Sequence, residues 1–440
     1  MMAVEIEKVC IDGLGIDKVL LDLDSREKLS KDYYWYSPVL EKRLKDKIAD
    51  SIVRPESDAE VETLLKIAYH HKVPVTVRGA GTGNYGQAIP LEGGIVLDLS
   101  KLDQILEWGE NSVRVQCGVR LGALERAARE RELELRIYPS TFMKATVGGY
   151  VCGGSGGIGS ITWGDLWDGN VSEVVVYTLE EEPRRLVVSG EDLPAYIHNY
   201  GTTGILTELV IPLAPKTEWE QSIVFFDDFM QAMEFSHDLS HDDSIRKRLI
   251  SPHEWPIPSY FRPLKKVVVP EKAAVLLETE EGSQPALARL AELHGGTVGH
   301  YIPAEKYRSG IGLSDFGWNH TTLWALKCEN NITYLQAGFS LAHFREQVRL
   351  VKETFGDEVL LHFEWMRSRG AVTPSSLPVV RYTTEERLNE IIDFFNANGI
   401  YVANPHTYSL DSGGRGILPL MKQKKQENDP LRLLNPGKID

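Results

Sequence analysis

The chain is poor in the residues that would tie it to metal clusters, membranes or nucleic acid. It has four cysteines in 440 residues (Cys10, Cys117, Cys152 and Cys328), far apart and with no C-x-x-C pair. That spacing excludes a thioredoxin-like motif and an in-chain iron–sulfur cluster of the usual kind, and it fits a reducing compartment. No apolar run reaches membrane-spanning length, so no integral membrane segment is expected. The opening, MMAVEIEKVCIDG, lacks the basic flank and apolar core of a signal peptide, which gives a cytoplasmic expectation. Basic residues are in deficit: 48 Lys and Arg face 63 Asp and Glu, a net charge of −15. Nucleic-acid binding needs a basic face, so no nucleic-acid partner is expected. A local anion site built from main-chain N–H groups remains open on an acidic protein.

The chain is rich in glycine, and the glycines cluster. Around them the periodicity alternates. PESDAEVETLLKIAYHH (55–71) reads as a helix, with Ser57 and Glu60 as a capping box and Val61, Leu64, Leu65 and Ala68 on one face. VPVTV (73–77), GGIVLDL (93–99) and SVRVQCG (112–118) read as strands, and LGALERAARERE (121–132) as a helix. VSEVVVYT and RRLVVSG read as a hairpin, and TGILTELVIPLAP (203–215) as a strand stopped by prolines. After Pro215 the composition shifts to alternating strands and amphipathic helices up to about residue 400, read as a separate α+β domain. The last forty residues are rich in turns yet too apolar in patches for a free tail. The division expected is 1–44 as an N-terminal extension, 45–215, 216–400, and 401–440.

The segment VRGAGTGNYGQ (77–87) contains G-T-G-N-Y-G, which fits the dinucleotide fingerprint G-x-G-x-x-G. A Rossmann loop must open a helix, because the helix N-terminus carries the pyrophosphate. Here Gly86 is followed by QAIPLEGG and another strand, and Pro90 with Gly93 and Gly94 cannot support that helix. The Rossmann reading fails its context test. What remains is a strand–loop–strand turn, either a flexible turn or a nest of inward N–H groups able to hold phosphates. A second run, PSTFMKATVGGYVCGGSGGIGS (139–160), holds seven glycines between Gly148 and Gly159. That density is expensive in a helix or strand interior, so it is read as close approach of backbone to a flat or charged ligand. Val147, Val151, Ile158 and Ile161 argue against disorder. A third patch, NYGTTGILTELVIP, places Gly201 and Gly204 just before a buried strand.

In this order, R-G-x-G-T-x-x-x-G-Q, P-S-x(5)-T-V-G-G with G-G-I-G-S and W-G, and G-T-x-G-I-x-T-E resemble the flavoproteins of the vanillyl-alcohol oxidase/p-cresol methylhydroxylase type. The terminal LLNPGKID is similar to the end of glycolate oxidase and D-lactate dehydrogenase-like members. The resemblance covers about 45 to 215 and the last ten residues. It implies an α+β fold: a two-subdomain p-cresol methylhydroxylase-type FAD-binding domain, a middle α+β cap that shapes a substrate pocket, and a C-terminal segment returning to the flavin. It assigns the FAD pyrophosphate to Arg78, Gly79, Ala80, Gly81, Thr82 and Gly83. The flavin and ribityl chain fall to Pro139, Ser140, Thr146, Gly148, Gly149, Gly153 and Ser160, the adenine side to Gly204 and Ile205, and a contact to the isoalloxazine to Asn435. Residues 78 to 87 contain no histidine to carry a covalent flavin there, and Cys152 is read as a small packed side chain, so the FAD expected is non-covalent.

The activity implied is an FAD-linked oxidoreductase, an oxidase or dehydrogenase taking a hydride from a small organic alcohol or hydroxy acid onto flavin N5. Its acceptor would be oxygen, a quinone or a redox partner protein. The alternatives are an NAD(P)H-dependent flavin reductase and a flavin-binding non-catalytic subunit. The H-x-G-D-G-N-x-H-like metal motif of the 2-hydroxy-acid members has no counterpart, a departure that counts against a D-2-hydroxy acid as substrate, and no metal ligand is expected. Such chemistry needs a base and a charge clamp. His406 and Tyr408, two apart in NPHTY, and Arg381 in VVRYT are the candidates, with Arg262, Arg369 and Arg415 as further clamps. His362 and Glu364 share one face of a strand, either as a pair or on a polar surface, and KQKK (422–425) reads as a solvated run.

Overall fold

The computed structural model describes residues 2–307 and 312–439. Its first layer is a four-stranded sheet ordered Val19–Leu20, Ser51–Val53, Ile95–Asp98, Val75–Arg78. The last three strands are parallel to one another, and the helix Asp58–His71 makes the crossover that parallel strands require. Ser57 caps that helix by accepting from the Glu60 N–H, and the Glu60 carboxylate accepts from the Glu56 N–H. Its face of Val61, Leu64, Leu65 and Ala68 is fully buried.

The second layer is antiparallel and ordered Ile105–Trp108, Ser112–Gln116, Ile205–Pro215, Glu173–Tyr177, Arg185–Val188, with Leu133–Leu135 paired to the far end of Ile205–Pro215. The helix Leu121–Arg129 packs on it through Leu121, Leu124 and Ala128. The apolar side chains of both layers merge into one core.

From Trp219 onward the chain builds a third antiparallel sheet, ordered Lys247–His253, Ala273–Glu280, Trp219–Phe226, Thr297–Ile302. Two smaller sheets follow: Ile332–Tyr334, Val379–Arg381, Val359–Leu360, and Phe363–Ser368, Ala371–Ser376, Ala337–Gly338, Tyr401–Val402. The helices Phe229–His241, Phe344–Phe355 and Glu385–Ala397 close a second apolar core against them. The fold is thus α+β throughout, with a first pair of sheets followed by three further sheets and their helices.

Two expectations need correction. The glycine run is not all irregular: Val147–Gly153 is a helix. It stays short and is capped by Thr146, whose hydroxyl accepts from the Gly149 N–H at 3.2 Å, while Val147 and Val151 anchor it in the core. KQKK is not all solvated either. Lys425 is buried, paired with Asp429 at 3.0 Å and donating to the Leu434 carbonyl at 2.9 Å. Among the described residues, no helix is long and apolar enough to cross a membrane.

Candidate functional site

The strand Val75–Arg78 ends where the first glycine loop begins, and the helix Val147–Gly153 brings the second run against it. Gly79 is the point of closest approach: a Cβ there would collide with the Thr146 hydroxyl. Between the two runs and the cap lies a cavity of about 480 Å³. Among the described residues, none of the main-chain N–H groups from Gly79 to Asn84 donates to a main-chain oxygen. Six successive amides at a cavity wall need an acceptor from outside the protein. The loop is held from its ends instead. Gln87 accepts from the Tyr85 N–H at 3.0 Å and donates to the Gly153 carbonyl at 3.1 Å, which ties the first run to the second.

Arg78 braces the loop from beneath. Its guanidinium donates to the carbonyls of Lys31 at 2.5 Å and Ala80 at 3.4 Å and fills the space beside Gly81. Burial pulls the Arg78 pKa down, and the charges of Asp98 and Asp32 oppose that pull. Asp32 itself lines the cavity. Burial pushes its carboxyl up to about 6 while Lys438 draws it down; burial pulls Lys438 to about 7 while Asp32 holds it up. Lys438 donates to the Gly86 carbonyl at 2.6 Å, so the pair sits on either side of the loop's far end.

Two buried polar atoms on cavity-lining residues lack any partner, the Tyr150 hydroxyl and the Asn319 carbonyl oxygen. Unsatisfied buried groups are costly, and both fit a ligand that brings donors and acceptors. Together with the free amides and the cradle that a Cβ would fill, they suit a phosphate-bearing flavin nucleotide.

A hydrogen-bonded chain stands at one end of the cavity. His198 donates through Nδ1 to the Gly154 carbonyl at 2.7 Å, which leaves Nε2 as acceptor for the Tyr200 hydroxyl at 3.2 Å. The Tyr200 oxygen in turn accepts from Arg415 at 2.8 Å. Burial, with the Arg415 charge second, pulls His198 down to about 4, so it is neutral at physiological pH. His198 and Tyr200 both adopt left-handed φ, 54° and 53°, which is strained for bulky side chains. Arg415 also lies 4.0 Å over the Tyr85 ring.

The cavity wall contains Arg78, Gly79, Ala80, Gly81, Thr82, Gly83, Pro139, Ser140, Thr146, Gly148, Gly149 and Gly153. Ser160, Gly204, Ile205 and Asn435 lie behind it. Ser160 is buried and accepts from the Gly157 N–H at 2.9 Å. Gly204 and Ile205 lead into the long strand of the second sheet. Asn435 donates to the carbonyls of Gln87 and Tyr200, both at 2.8 Å.

The three side chains expected to carry the chemistry do not line the cavity either. His406 is buried with both nitrogens engaged, Nδ1 by the Ser37 hydroxyl and Nε2 by the Tyr334 carbonyl, each at 2.8 Å. Tyr408 packs against Leu40, Leu44 and Ile89. Arg381 pairs with Glu329 at 3.1 Å at a half-buried position. What the sequence reading missed is the wall supplied by the cap: Trp318, Asn319, His320, Gln336 and Met366. FGWNH and YLQAG carry no motif that would have flagged them. Tyr85 and Tyr150 stand inside the glycine motifs and were legible there.

Residues 49–181 match the family model described as FAD binding domain. That stretch is similar to an FAD binding domain. The chain is similar to the glycolate oxidase subunit GlcD of Bacillus subtilis (strain 168), 32% identical over 183 residues, 40% of this chain and 39% of that one. The D-lactate dehydrogenase of Archaeoglobus fulgidus is 31% identical over 178 residues, 38% of this chain and 39% of that one. The matched stretch therefore spans about two fifths of each relative's length. A solved structure of alkyldihydroxyacetonephosphate synthase superposes with a TM-score of 0.76 over 99% of this chain and 85% of that one, at 16% identity, so the two share a fold.

Proposed function

We propose that the protein is an FAD-dependent oxidoreductase acting on the CH–OH carbon of a small hydroxy acid or related alcohol. The observation that carries this reading is the row of main-chain amides from Gly79 to Asn84 with no main-chain acceptor, facing a cavity that the cap closes. The names of the relatives, glycolate oxidase subunit and D-lactate dehydrogenase, support a hydroxy acid as donor. Bound FAD supplies the two-electron acceptor for the substrate's hydride.

The chain's own residues do the rest. The amides of Gly79 to Asn84 would hold the pyrophosphate, and Arg78 and Gln87 fix the loop that would present them. The glycines at 79, 148, 149 and 153 let the backbone approach the ribityl chain and ring. Trp318 and Met366 come so close to Gly156 that a side chain there would be crowded.

His320 is the one imidazole lining the cavity among the described residues. Burial pulls it down to about 4, so it is neutral across the physiological range and is the candidate to accept the substrate hydroxyl's hydrogen bond as the proton leaves. The test is anaerobic mixing of FAD-loaded protein with glycolate, D-lactate and longer 2-hydroxy acids, following loss of the oxidised-flavin band. Bleaching by a hydroxy acid is expected. Bleaching by NADPH alone would make the protein a flavin reductase, and no bleaching by any donor would make it a flavin carrier.

A further inference from the structure

We infer that Glu364 is a positioning residue that, through the main chain of Trp318, sets how the cap presses on the glycine run. Along the strand Phe363–Ser368, side chains alternate. Phe363 and Trp365 enter the cap's apolar core. His362, Glu364, Met366 and Ser368 share the other face, and Met366 and Ser368 line the cavity. Glu364 is the next step inward and is 1% exposed. Its Oε1 accepts from the Trp318 N–H at 2.6 Å and the Ser251 hydroxyl at 2.8 Å and lies 2.8 Å from His362 Nε2. His362 stacks on His253 with ring centroids 4.3 Å apart. The carboxyl forms no ion pair with a lysine or arginine among the described residues. Gly317 makes room for it, since a Cβ there would sit 2.9 Å from Oε1.

Trp318 has φ 52° and ψ −141°, a region nearly reserved for glycine, and holding it costs on the order of 1–3 kcal/mol. The hydrogen bond from its N–H to the buried carboxyl offsets that strain. The result is an indole whose edge lies 3.0 Å from where a Cβ on Gly156 would stand, with Met366 Cε at 3.1 Å. Trp318 also precedes the helix Asn319–Leu326, so Asn319 and His320 are aimed from the same fixed point. One carboxyl with no part in binding thereby orients three consecutive residues of the cavity wall. Burial pushes Glu364 up to about 8 and pulls His362 down to about 3, which favours the neutral form of each at pH 7.

This inference rests on the reading of the cavity as the flavin site, and its test needs no substrate. The probe is FAD, read by its dissociation constant and by the visible circular dichroism of the bound oxidised flavin. Glu364→Gln keeps an oxygen for the Trp318 N–H, and both readouts should match the wild type within about threefold. Glu364→Leu removes the acceptor; FAD affinity should fall at least tenfold and the visible dichroism should change shape. Trp318→Gly removes strain and indole together and should reproduce the Leu spectrum at wild-type thermal stability. Adding Glu364→Leu to Trp318→Gly should then change neither readout further. Unchanged flavin dichroism and affinity in Glu364→Leu would overturn the inference, as would additive effects in the double variant. If Glu364→Leu does not fold, unchanged readouts in Trp318→Gly overturn it instead. A failed hydroxy-acid screen leaves these readouts intact, whereas a colourless protein that takes up no FAD would refute the site itself.

Discussion

His406 shows how a histidine can look catalytic in a sequence and be structural in the fold. Its Nε2 faces a carbonyl and must carry the proton; its Nδ1 accepts from Ser37, the same hydroxyl that caps the helix Pro38–Leu44. Burial pulls the ring down to about 3. Between that value and the unfolded value near 6.5, the unfolded chain binds one more proton than the folded one, so stability is lost as pH falls. The stability advantage of wild type over His406→Gln should therefore shrink below pH 6.5, by about 1.4 kcal/mol per pH unit, measured by urea unfolding at pH 7.5, 6 and 5. An unchanged difference would mean that the ring is not held neutral. At His320 the expectation concerns rate. His320→Asn should lower the rate of flavin reduction by about 100-fold while FAD binding is retained. Wild-type rates should stay flat from pH 8 to 5 and fall only towards 4, because the base form persists above its depressed pKa.

The elements of the first two sheets were legible because their signals are local. The capping box at Ser57, the strand before Arg78 and the proline-stopped strand ending at Pro215 all stand close to where periodicity put them. The helix Val147–Gly153 was not legible, since three of its contacts with the rest of the fold are made by absent side chains. Gly148 lies against Cys117, Gly149 against Gly79 and Gly153 against Gln87. Glycine content reports close approach, and it is silent on whether the backbone coils there. At this scale Gly79→Ala is the decisive substitution. Its methyl group meets the Thr146 hydroxyl that caps the helix, so the two runs must part. FAD affinity should drop at least tenfold by fluorescence titration, and Thr146→Ala alone should cost about 1 kcal/mol in unfolding.

Across the whole molecule, the cavity is closed by segments remote in sequence, and that is why the cap's share of the site was hidden. Nothing in FGWNH announces that Trp318 meets Gly156, because the contact depends on how separate sheets stack. Asn435 is the opposite case. The resemblance assigned it to the isoalloxazine, whereas here it stands behind the cavity wall and braces main chain: its N–H donates to Val75 at 2.7 Å and its side-chain amide to Gln87 and Tyr200. Asn435→Ala leaves two carbonyls without their donor. Unfolding should be easier by about 2–3 kcal/mol, and the purified protein should lose flavin on gel filtration. Retention of full flavin occupancy would show that the loop holds its shape unaided.

The hold of Asn435 and Lys438 on the first glycine loop has a consequence for biogenesis. Residues that shape the flavin's berth are translated hundreds of codons after the loop they brace. A ribosome-bound chain lacking them has the loop without its clasp, so nascent chains stalled before residue 435 should capture flavin poorly.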